Sequence, residues 1–237
     1  MFKKIIVLFF ALSLVYIPAI AKENDENLDI QTFYQKVVPI QDRIDKIAYQ
    51  ILNANKIEKK IAFSFNSKNN FIKGMPEVTK RQIVIYPDQL KYAATDDELA
   101  GFLAREISVA MKSFDGKFGG FVSAAQVKMA PKAYQRVADK RAVDFVVKAG
   151  YNPLGLITFI TKSCPQRRQD VFSTSNLTSK RLMYIYERIY FEYPYFLVNN
   201  TYLDNRYYQN FLLNSVDNRQ KLKDAIKEGK RGKVKYE

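Results

Sequence analysis

The chain has 237 residues, of which 47% are hydrophobic and 26% charged, a balance that supports a packed core and excludes an intrinsically disordered chain. It carries a formal net charge of +14, one cysteine and no histidine. Those counts exclude an internal disulfide, and they exclude every metal site or acid–base pair that needs an imidazole.

The N-terminus reads as a secretory signal. Lys3 and Lys4 form a positive start, Ile5 to Ile17 an apolar run, and Ala19-Ile20-Ala21 a small-x-small site, with Pro18 just before it. Cleavage after Ala21 is expected, with export to the periplasm or cell envelope if the source is bacterial. The rival reading is a retained anchor, for which the run is short of the roughly 20 residues that span a bilayer. The basic balance allows contact with an anionic membrane surface, although an AT-rich codon bias toward Lys, Asn, Ile and Tyr produces the same charge without selection. Nucleic acid is the partner class an exported chain is least expected to meet.

From Ile30 to Asn55 apolar residues recur at helical spacing, and Pro39 is expected to divide the stretch. Lys60–Asn66 alternates as a half-buried strand with Ile61, Phe63 and Phe65 inward. Asn69–Lys80 is expected to be loop, and Gln82–Tyr86 a second strand ended by Pro87. Thr95–Lys112 is the clearest helix. Thr95 and Glu98 form a capping box, Asp96 and Asp97 suit the dipole, and Leu99, Phe102, Leu103, Ile107, Ala110 and Met111 line one face. Pro131 and Gly150 bracket a helix over Ala130–Ala149. Further helices are expected over Pro153–Cys164, Ser179–Tyr193 and Val216–Lys227. The tyrosines between Tyr184 and Tyr208 read as core and groove lining, with a membrane or partner surface as the alternative. Lys230–Lys235 reads as a solvated tail.

One stretch carries chemistry. Asp97-Glu98-Leu99-Ala100-Gly101-Phe102-Leu103-Ala104-Arg105-Glu106-Ile107-Ser108-Val109 resembles the active-site helix of metallopeptidase family forty-eight, the group of the CAAX prenyl proteases and the bacterial HtpX-type proteases. There the pattern is E-L-A-x-x-L-A-H-E-x-x-H. Two histidines one turn apart bind zinc, and the glutamate beside the first activates a zinc-bound water. Three more segments fall in the family's order. They are Asn69-Asn70-Phe71 followed by Gln82-Ile83-Val84-Ile85-Tyr86, then Ala138-Asp139 leading to Gly150-Tyr151-Asn152-Pro153, and then Ser173-Thr174-Ser175-Asn176 followed by Arg181.

The resemblance implies an α+β, mainly helical, zincin-like domain with a small sheet beside the former active-site helix, over residues 22–197. A Tyr-rich and basic extension would cover 198–237. It also implies that the chemistry has gone. The ligand positions hold Arg105, Val109 and Gln135, and Ser175 stands where the family has a further histidine. Glu106 is the remnant of the general base, with Asp139 and Arg181 in supporting positions. Zinc, which the family uses, is not expected here, and no cofactor is. Arg105 is expected to pair with Glu106 or Asp139 where the metal would sit, and Val109 to become core. The implied function is that of a pseudo-peptidase holding a polypeptide or envelope protein in its cleft, along an edge strand at Gln82–Tyr86. The alternatives are residual metalloendopeptidase activity and a decaying relative with no selected activity.

Overall fold

The computed structural model describes residues 36–67, 78–79, 82–113, 130–164, 176–230, 232 and 234–237. The stretch read as a secretory signal, Asn69–Phe71 and Ser173–Ser175 lie outside the described residues. The chain divides into two compact units, Met1–Arg43 and Ile44–Glu237. The described part of the first is the opening of helix α1 (Val38–Ala54). Pro39 lies in that helix's first turn, where its missing N–H costs nothing, and it does not break the helix.

The second unit is mainly helical, with a small sheet. β1 (Ala62–Phe65) runs parallel to β3 (Gln82–Ile85), and β2 (Val78–Thr79) pairs antiparallel with β3, giving the order β1-β3-β2. Two expectations are corrected here. Part of the stretch read as loop, Val78–Thr79, is a strand, and the strand at Gln82–Ile85 is central, not an edge. Thr79 pairs with Gln82 and Val78 with Ile83, so β2 takes the side that a substrate strand would need there. Tyr86 lies beyond the strand and caps α2 (Pro87–Leu90).

The helix read most clearly from sequence is α3 (Asp96–Ser113). Its capping box is present: the Glu98 amide donates to Thr95 Oγ1 and the Thr95 amide to Glu98 Oε2, each at 3.2 Å. Sequence pattern suggested one apolar face, but α3 is buried nearly all round. Small Ala100, Gly101, Ala104 and Ser108 are as enclosed as Leu99, Leu103 and Ile107. That is the position of a central helix. It packs against α4 (Pro131–Lys148) and α5 (Leu154–Ser163). Every residue of α5 from Leu154 to Ile160 is buried, so all but its last turn lies in the core. α6 (Thr178–Glu192) packs on α4 and α5. Beyond it come α7 (Tyr195–Val198), α8 (Arg206–Asn214) against α5, and α9 (Val216–Lys227) against α6.

Two contacts show why the packing is specific. A Cβ on Gly155 would lie 2.6 Å from the Asp97 carbonyl carbon, and one on Gly101 2.9 Å from Leu156 Cα. The α3–α5 crossing therefore requires a bare backbone on both sides. At the end of α4, Gly150 takes φ +83° while its amide bonds Val147 O and that of Tyr151 bonds Val146 O, a Schellman turn. Side chains of α1 and of the turn after it satisfy further carbonyls of that end: Gln50 donates to Ala149 O at 2.7 Å and Asn55 to Phe145 O at 3.0 Å.

The extension at 198–237 is not separate from the domain, since it falls in the same compact unit. Tyr208 and Phe211 are among the largest fully buried side chains, and Tyr202 is buried as well. Of the tyrosine-rich stretch, Tyr190 and Tyr195 are the exposed members.

Two predictions follow from this packing. Gly155→Ala must push α5 off α3 and should lower stability by about 1–3 kcal/mol, measured by denaturant unfolding. Burial, reinforced by the Asp144 charge, raises the Tyr193 phenol to about 12. Burial, with the Tyr186 charge next, raises Tyr208 to about 12. The fold thus favours the neutral phenol, so the unfolded chain, titrating near 10, loses its protons first as pH rises. The contribution of both groups is whole below pH 10 and should vanish between pH 10 and about 12. Unfolding midpoints measured across that range, with Tyr193→Phe and Tyr208→Phe flattening the decline, check it.

Candidate functional site

Three helices bring one ionic centre together. α3 supplies Arg105 and Glu106, α4 supplies Asp139, and α6 supplies Arg181. Asp139 is fully buried, and both its oxygens are used. Arg181 grips it with two bonds, Nε to Oδ2 at 2.8 Å and Nη2 to Oδ1 at 2.9 Å, while Arg105 Nε donates to Oδ1 at 3.1 Å. Arg105 Nη1 also bonds the carboxylate of its neighbour Glu106. The pairing expected of Arg105 is thus present with both carboxylates at once.

Two guanidiniums face two carboxylates, so the centre is neutral although it is largely enclosed. Burial works against the charged form of Arg181, and the Asp139 carboxylate more than offsets it, with Cys164 adding to the effect. The guanidinium therefore stays charged, its pKa held above the ordinary arginine value. Arg181 Nη1 lies 3.2 Å from Cys164 Sγ, at the C-terminal cap of α5. Guanidinium–carboxylate forks of this kind are directional and strong, because planar donors meet planar acceptors.

Zinc does not fit these residues. At the position where the resemblance would put the first metal ligand, Arg105 presents only donors and a fixed positive charge. Glu106 and Asp139, the carboxylates at hand, already accept from guanidiniums. Among the described residues no group of three His, Cys, Asp or Glu side chains could hold a metal ion. The resemblance assigns two more ligand positions, Gln135 and Val109, each one turn along its helix from a member of the ionic centre. Gln135 accepts from the Asn176 backbone at 2.8 Å and from its side chain at 3.1 Å. Val109 is half-buried, not the core residue expected, because it lies on the less enclosed side of α3. Ser175 lies outside the described residues. Gln82, Ile83, Val84 and Ile85 form the middle strand, away from an edge role.

Sequence reading missed a second buried network at the start of α3. Glu98, read only as a cap, is fully buried and also accepts from Thr158 Oγ1 at 2.8 Å and from Lys162 Nζ. Lys162 in turn lies over the Tyr207 ring at 5.0 Å. Beside it, Asp97 accepts from the Asn152 amide at 2.9 Å and from the Tyr202 hydroxyl at 3.0 Å. The available signal was Thr158 within the apolar run Leu154–Ile160, with Lys162 one turn on, which called for a buried partner.

Comparison of the chain with family models, with curated proteins and with solved structures gives no match in any of the three.

The centre can be tested by removing its anion. Asp139→Ala leaves Arg181 enclosed without a counter-charge and should cost about 3–5 kcal/mol of stability. Asp139→Asn, which keeps hydrogen-bond acceptance at one atom, should cost less. Chemical denaturation of the two variants beside the wild type measures both.

Proposed function

We propose that the chain is a non-catalytic relative of the zinc metallopeptidases, exported to the cell envelope, that holds polypeptide without cutting it. The observation that carries this reading is the seat of Arg105. A guanidinium bonded to Glu106 and Asp139 occupies the place where the resemblance puts a zinc-binding imidazole. Hydrolysis in such a scaffold needs a metal to acidify water and a free carboxylate to take its proton. Here the carboxylate of Glu106 is committed to Arg105, and the chain has no histidine to offer a metal.

What supports kinship with the peptidases is the placement of the family-like segments. The Glu98 side chain caps and anchors the helix, and the Gly150–Pro153 turn bonds through Asn152 to Asp97 at the start of that helix. Arg181 holds the Asp139 helix. These are fold-bearing roles, kept where the ligands are replaced. Polypeptide holding by strand addition is narrower than the sequence implies, because β2 already pairs with Gln82 and Ile83. An exported location fits the signal-like start, and among the described residues no helix is long and apolar enough to cross a membrane.

Metal analysis of the purified chain is the direct test. The wild type should carry no stoichiometric zinc and should leave unfolded substrates intact with or without chelator. A tightly held zinc, or cleavage that a chelator abolishes, would overturn the reading. The triple variant Arg105→His/Val109→His/Gln135→Glu should take up one zinc per chain if the family geometry underlies the fold, and failure to do so counts against the kinship.

A further inference from the structure

We draw no further inference here: the strongest candidate, the exposed apolar surface patch of Tyr195 and Val198 on α7 with Leu203 in the turn after it, carries nothing because nothing in the structure shows what covers it.

Discussion

The Asp139 carboxylate, enclosed by three helices and held by two guanidiniums, is the constraint on which the domain is organised. A buried carboxylate is tolerable only when its lone pairs and its charge are both answered. Arg181 answers from α6 with a planar fork, and Arg105 answers from α3 while also neutralising Glu106. α4, which carries Asp139, is thereby tied to both of its neighbours at one point. Salt bridges thus crosslink the three helices at one buried point.

The rest of the packing follows from α3 lying inside. A helix buried on nearly every side must have small residues where neighbours cross it, and α3 has Ala100, Gly101, Ala104 and Ser108. Its N-terminal turn cannot be left to water, because α5 and the segment around Tyr202 cover it. Asp97 and Glu98 therefore do more than favour a dipole. They receive Asn152, Tyr202, Thr158 and Lys162, and so join the turn before α5 and the C-terminal region to the central helix. This explains why residues 198–237 belong to the same compact unit as the helices before them. It also explains why Tyr202 is buried: its ring is enclosed while its hydroxyl reaches Asp97.

Much of the fold was legible in the residues. The helices over 96–113, 131–148, 154–163, 178–192 and 216–227 and the strands at 62–65 and 82–85 lie within a residue or two of where periodicity, capping and Gly/Pro punctuation put them. The short helices at 195–198 and 206–214 were not read, since four to nine residues give too little periodicity. The strand at Val78–Thr79 was missed for a related reason: two residues beside turn-forming neighbours carry no pattern, and their pairing exists only because β3 offers a free side. That pairing in turn made β3 a central strand, a fact that no local sequence signal encodes. At the ionic centre, the Arg105–Glu106–Asp139 pairing could be anticipated from the helix motif. The bidentate hold of Arg181, the proximity of Cys164 and the turning of Gln135 toward Asn176 could not, because each depends on how α4, α5 and α6 approach one another.

By itself the sequence determined what chemistry is available. With no histidine and one cysteine, a metal site built on imidazoles or on several thiolates is unavailable however the chain folds. It also determined which segments are helical and which faces seek burial, since those depend on spacing along the chain. Tertiary structure alone decided which charges meet and which strand is central. Such outcomes depend on distances between segments far apart in the chain, and a buried ion pair exists only once those segments have closed around it.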